Sequence, residues 1–172
     1  LEKPNIFPTA GAPVSPEVEE FIHSIGIGMI VGYGLTESLA TVSCDVKGMP
    51  YTIGSVGRPL SGVEIKISDD HEILLKGPTI TKGYYHRDAL NKQVFTEDGY
   101  FHTGDAGYIK DGELYLQERI KDLFKTSNGK YIAPQSLEAR LLVDRYIDQI
   151  AVIADKRKFV SALIVPEFRA LE

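Results

Sequence analysis

Apolar residues at Val18, Phe21, Ile22 and Ile25 recur at helical spacing behind Ser15-Pro16-Glu17. Ser15 can cap such a helix, Pro16 suits its first position, Glu17 suits its dipole and Gly26 supplies a stop. Beyond it, to about residue 132, the pattern changes to short runs broken by turns. Residues 27–31 form an apolar run bounded by glycines and predict a buried strand. Residues 53–59 and 63–68 predict two more, the second alternating as Val63, Ile65 and Ile67. Asp69-Asp70 reads as a turn, with residues 72–76 returning as the hairpin partner. Asp98-Gly99, Asp111-Gly112 and Asn128-Gly129 are turn dipeptides. The last two predict hairpins that join 107–110 to 113–117 and 123–125 to 130–132. A second helix is predicted from Pro134 with Leu137, Leu141 and Leu142 on its inner face, and residues 150–154 and 161–165 predict two closing strands. The glycine-rich β character gives way near residues 118–122, which predicts a domain boundary there.

The 172 residues suit one domain or one and a half small ones, and 43% hydrophobic with 25% charged content is a globular balance. Nineteen basic against 24 acidic residues give a net charge of -5, which argues against nucleic acid as a partner. Cys44 is the single cysteine, so an intramolecular disulfide and a multi-cysteine metal cluster are excluded, and a cytoplasmic address fits. No apolar run approaches the roughly 18 residues of a membrane-spanning helix. The sequence starts at Leu1 without a methionine, and its expected character is that of an internal piece of a larger enzyme.

Four stretches carry candidate chemistry. In Gly32-Tyr33-Gly34-Leu35-Thr36-Glu37, the two glycines free the backbone of a loop around a ring, a hydroxyl and a carboxylate. That loop could stack a base, bond a phosphate and hold Mg²⁺, although a simple glycine-rich turn gives the same pattern. In Phe101-His102-Thr103-Gly104-Asp105, a carboxylate behind a tight turn suits a pair of ribose hydroxyls, or is a turn former beside a packed histidine. Arg119, Lys121, Lys125 and Lys130 form a basic cluster in an acidic chain, suited to phosphate or carboxylate, or a solvated face. Thr9-Ala10-Gly11-Ala12-Pro13 would let backbone approach a flat ligand, or is a connector.

In order and spacing these stretches resemble the adenylate-forming (AMP-binding) superfamily of acyl-CoA synthetases, luciferases and peptide-synthetase adenylation domains. The resemblance implies the following. Gly11 and Ala12 lie beside the adenine, with Ala10 in place of the family's first glycine. Gly32, Tyr33 and Gly34 belong to the nucleotide site, with the Tyr33 ring against adenine, Thr36 near the phosphate and Glu37 on Mg²⁺. Asp105 and Arg119 reach the ribose. Residues 54–59 and 77–85 are structural segments, and Lys121 is the hinge between a large and a small domain. Lys125 lies in a hairpin turned inward for thioester formation. Residues 124–134 are similar to the long-chain acyl-CoA synthetases, with Gly129-Lys130-Tyr131 where Gly-Glu-Tyr is commoner.

The implied fold is α+β: residues 1–118 as the C-terminal part of the large domain with a distorted antiparallel barrel portion, residues 119–122 as hinge, and 123–172 as the start of the small domain. The implied function is ATP-dependent activation of a long-chain fatty acid to acyl-adenylate and then acyl-CoA, with ATP or AMP, Mg²⁺, the fatty acid and coenzyme A as ligands. A greasy substrate leaves room for a peripheral membrane contact. The family's phosphate loop and its C-terminal adenylation lysine do not occur in these residues, so the chain alone is expected to be inactive. Two alternatives stand: an aryl- or short-chain acyl-CoA ligase, and a non-catalytic nucleotide- or acyl-binding module.

Overall fold

The computed structural model describes residues 6–11, 14–45, 51–127, 131–154 and 157–171. The fold is α+β, and the chain divides into two compact units, Leu1–Leu116 and Gln117–Glu172.

In the first unit, β1 (Ile6–Ala10) leads to α1 (Pro16–Ser24), β2 (Gly28–Leu35) and β3 (Ala40–Cys44), and a short β4 (Arg58–Pro59) follows. These strands form one sheet in the order β1-β2-β3-β4, in which β1 runs parallel to β2 and the other pairs are antiparallel. The parallel pair needs a crossover, and α1 supplies it. A second sheet has the order β5-β6-β7-β8, from β5 (Glu64–Ile67), β6 (Glu72–Lys76), β7 (Phe101–Lys110) and β8 (Glu113–Arg119), and curls into an antiparallel half-barrel. A helix, α2 (Asp88–Val94), interrupts the run between β6 and β7.

The core joins Met29, Val31 and Tyr33 of β2 and Val42 of β3 to Ile73 and Leu75 of β6 and Leu114 of β8. Ile73 and Leu75 are fully buried, which stabilises by about 1.5–3 kcal/mol each. The strand expected at 27–31 therefore buries one face only, by alternation, and runs on to Leu35. The β5–β6 hairpin forms as expected, and Asp111 and Gly112 at φ 53° and 80° turn β7 into β8. The strand expected at 53–59 shrinks to Arg58–Pro59. Gly54 and Gly57 sit at φ 80° and 78°, so the chain turns twice before it can pair. At Gly57 a Cβ would lie 1.9 Å from the Cys44 carbonyl carbon, so the turn is pressed onto β3.

Helix α1 starts as predicted, with Ser15 Oγ accepting from Val18 N at 3.3 Å. Its packing differs from the apolar periodicity. Val18, Phe21 and Ile25 face outward, and Ile22 packs on the core beside Glu19, which is 1% exposed. The Glu19 carboxylate accepts from Gly54 N at 2.8 Å and so anchors the turn after β3, while its other oxygen has no partner among the described residues. Burial, more than any other cause, pushes Glu19 above the ordinary carboxylate range, with Asp45 adding to the rise and the Gly54 bond and His23 opposing it. Asp45 is raised the same way, chiefly by burial. A carboxyl whose folded-state pKa is raised binds its proton more tightly folded than unfolded, so stability is greatest at low pH and falls as pH climbs through the raised pKa. Glu19→Gln is expected to flatten that decline, measured as urea midpoints from pH 4 to pH 8. An unchanged slope would transfer the effect to Asp45.

In the second unit, β9 (Phe124–Lys125) pairs antiparallel with β10 (Tyr131–Ile132), as predicted. Their Asn128-Gly129 turn, and Lys130, lie outside the described residues. Helix α3 (Pro134–Leu141) packs on β11 (Ile147–Ile153), which pairs with β12 (Ser161–Pro166), and α4 (Phe168–Leu171) follows. Leu137, Leu141 and Leu142 remain substantially exposed, contrary to their expected inward placement. The helix is held partly by a polar contact, Val152 N donating to Glu138 Oε1 at 2.7 Å. Among the described residues no helix is long and apolar enough to cross a membrane.

Candidate functional site

Sheet one delivers its chemistry at the end of β2. The predicted loop is the strand itself: Tyr33, Gly34 and Leu35 pair with β3 across a bulge, and only Thr36–Ser38 leave it, as a 3-10 turn. Gly32 and Gly34 are extended, and neither takes a positive φ. Glycine is needed at Gly34 for close approach, since a Cβ there would lie 1.5 Å from the Ala40 carbonyl oxygen. At Gly32 it would lie 3.3 Å from the Ser43 carbonyl oxygen, a tight but milder contact. Gly11, in contrast, has open space beside it and a φ of 87°, which only glycine adopts freely.

A cleft of about 530 Å³ is lined by Gly11, Gly34, Leu35, Thr36, Leu39 and Ala40, together with Ala10 and Thr41. The fold thus brings the small-residue stretch after β1 against the end of β2, as their parallel pairing requires. Leu39 and Ala40 line the cleft at φ 53° and 87°, a conformation costing roughly 1–2 kcal/mol per non-glycine residue. The buried Ser38 hydroxyl holds this turn, accepting from Leu35 N at 2.9 Å and lying 2.9 Å from the Leu35 and Ala40 carbonyl oxygens.

Sheet two contributes Asp105. It sits inside β7, behind Gly104 at φ 73°, and its carboxylate accepts from Tyr33 Oη at 2.7 Å. Tyr33 is 6% exposed, with its ring in the core. The Thr103-Gly104-Asp105 turn is clamped from β6: Glu72 accepts from Gly104 N at 2.8 Å, and its second oxygen lies 2.7 Å from His102 Nδ1. Thr103 Oγ1 donates to the Ile73 carbonyl at 2.7 Å. Glu72 is a site-supporting residue that the sequence reading missed, because its partners lie 30 and 32 residues away.

Glu37 is half-buried, and its Oε1 accepts from Tyr84 Oη at 2.8 Å. Among the described residues no group of three or more His, Cys, Asp or Glu converges on a metal position. A single carboxylate fits Mg²⁺ carried by a nucleotide, because that ion takes one or two carboxylates plus phosphate and water oxygens. Thr36, next to Glu37, is exposed. In the second unit, Arg119 is exposed at the end of β8 and Lys121 in the 3-10 turn Ile120–Asp122. Lys125 lies in β9, with its side chain outside the described residues, as is Ala12.

Residues 3–85 match the family of AMP-binding enzymes. The chain is 35% identical over 169 residues, 95% of its length, to a long-chain-fatty-acid–CoA ligase of Mycobacterium bovis. It is 36% identical over 173 residues, 92% of its length, to long-chain-fatty-acid–CoA ligase 1 of Schizosaccharomyces pombe. This chain belongs to the AMP-binding, adenylate-forming enzymes. It spans only 27% and 26% of those two relatives' lengths. Among solved structures of the family, it is similar to O-succinylbenzoate coenzyme A synthetase from Bacillus subtilis in complex with ATP and magnesium ion. That likeness has a TM-score of 0.79 at 30% identity and covers 94% of this chain and 36% of the other. The AMP-binding family thus includes neighbours named for different acids.

Proposed function

We propose that the full-length protein carrying these residues activates a long-chain fatty acid with ATP and passes the acyl group to coenzyme A. A carboxylate oxygen attacks the α-phosphorus of ATP and pyrophosphate leaves. The coenzyme A thiolate then attacks the acyl carbon, the bond to AMP breaks, and AMP leaves. The observation that carries this reading is the convergence of Gly11, Gly34 and Thr36 on one cleft of about 530 Å³, with open space beside Gly11.

In this reading the Gly11–Ala12 stretch borders the base and Thr36 meets phosphate. Asp105, oriented by Tyr33, accepts from the ribose hydroxyls, and Arg119 reaches the same sugar. Glu37 holds Mg²⁺, which when bound offsets the charge that develops on phosphate oxygens. Lys121 serves as the pivot between the two half-reactions, and Lys125 serves the thioester step. A cytoplasmic site with peripheral membrane contact belongs to the same proposal, on the greasy substrate and the single cysteine.

ATP–pyrophosphate exchange by the full-length protein across fatty acids of graded length, with one aryl acid, tests the reading. Exchange is expected to peak with long chains. A peak with the aryl or a short acid would establish the reading that the name of the Bacillus subtilis neighbour favours. No exchange with any acid by folded protein would overturn catalysis in favour of a binding module.

A further inference from the structure

Glu37 receives two donors from one short segment. Thr81 N donates to its carbonyl oxygen at 2.6 Å, and Tyr84 Oη donates to Oε1 at 2.8 Å. That segment is itself fixed. Gly83 N donates to Thr81 Oγ1 at 3.2 Å, closing a tight turn. The amide of Asn91, from α2, then satisfies both backbone groups of Tyr84: Oδ1 accepts from Tyr84 N at 2.7 Å and Nδ2 donates to Tyr84 O at 3.0 Å. The packing is close enough that a Cβ on Gly83, which lies at φ 131°, would sit 2.9 Å from the Asn91 amide. The arrangement is a relay from α2 through Asn91 and Tyr84 to the Glu37 carboxylate, across 47 residues of sequence between tyrosine and glutamate.

The chemistry of the donor matters. A lysine or arginine in this place would orient Glu37 but neutralise it. A phenol donates one hydrogen bond, fixes one oxygen and leaves the negative charge available to a cation. A tyrosine phenol is protonated throughout the neutral range, so Tyr84 is the donor in this bond.

We propose that Tyr84, aligned by Asn91, is a positioning residue for a metal-binding carboxylate: it occupies Glu37 Oε1 and leaves the second oxygen to the Mg²⁺ that accompanies ATP. This rests on the reading of Glu37 as the Mg²⁺ residue.

The test compares wild-type full-length protein with Glu37→Ala, Tyr84→Phe and Asn91→Ala. ATP affinity is measured by calorimetry with and without Mg²⁺, and pyrophosphate exchange as a function of Mg²⁺. The expected result is that Tyr84→Phe raises the half-saturating Mg²⁺ roughly tenfold, as loss of a partner that orients a metal ligand does. Its affinity for ATP without Mg²⁺ should match wild type, a pattern that a merely structural lesion would not give. Asn91→Ala should move in the same direction by less, and it decides the matter if Tyr84→Phe does not fold. Wild-type Mg²⁺ dependence in Tyr84→Phe, with that dependence lost in Glu37→Ala, overturns the role of Tyr84 and leaves Glu37 in place. Intact Mg²⁺ dependence in Glu37→Ala overturns the metal role of Glu37, and the positioning role with it.

Discussion

Replacing Glu37 with alanine is expected to lower ATP–pyrophosphate exchange by the full-length protein roughly a thousandfold, the several kcal/mol that a metal clamp on phosphoryl oxygens supplies. The carboxylate comes from a 3-10 turn at the end of β2, and among the described residues no group of three or more His, Cys, Asp or Glu gathers as a rival metal site. Binding of AMP, which needs no cation bridge between phosphates, should fall far less. A variant that loses AMP binding and exchange in equal proportion would assign Glu37 a role in holding the turn, and the metal reading would fail.

Gly34→Ala should be the most damaging small substitution in the site. The new methyl carbon would overlap the Ala40 carbonyl oxygen at 1.5 Å, and both strands are fixed, β2 by its core side chains and β3 by its pairing on either side. Relief requires β2 and β3 to part at their bulge, for a loss of about 3–5 kcal/mol in the range of severe packing lesions. Gly99→Ala is the comparison: it strains a φ of 83° but meets nothing nearer than 4.0 Å, and should cost about 1–2 kcal/mol. Urea unfolding of both variants of the chain measures the difference. Equal losses would show that close approach is not what position 34 demands.

Local chemistry made much of the fold legible. Ser15-Pro16 starts α1, Asp111-Gly112 turns β7 into β8, and the apolar runs near Ile150 and Ile164 became β11 and β12. The failures share a cause, which is long-range packing. Helix α2 is short, buries none of its residues and has no side-chain cap at Arg87, so its local signal is weak. Glycines in Gly32-Tyr33-Gly34 read as a flexible loop, yet both are extended strand residues whose missing side chains make room for a neighbouring chain segment. The apolar periodicity of α1 gave no sign that Glu19 would be its buried residue, with its carboxylate accepting from Gly54 N.

The candidate site shows the same division. Gly11, Thr36, Glu37 and Asp105 were visible as residue types in motifs. Their supporting partners Tyr84 and Glu72 were not singled out, since a hydrogen bond between residues 30 to 47 apart leaves no trace in spacing, and Asn91 acts only through Tyr84.

The bond between Tyr33 and Asp105 spans 72 residues and ties two sheets that have no strand in common. With Asp105 as the proposed ribose residue, a chain that has formed either sheet alone owns half of that site. On that reading, nucleotide recognition requires the closure of a 72-residue loop. Any ligand that grips Asp105 in this setting stabilises only the fully assembled unit, by mass action. In a cell, nucleotide would then act as a folding checkpoint, holding finished molecules in a state that half-built ones cannot reach.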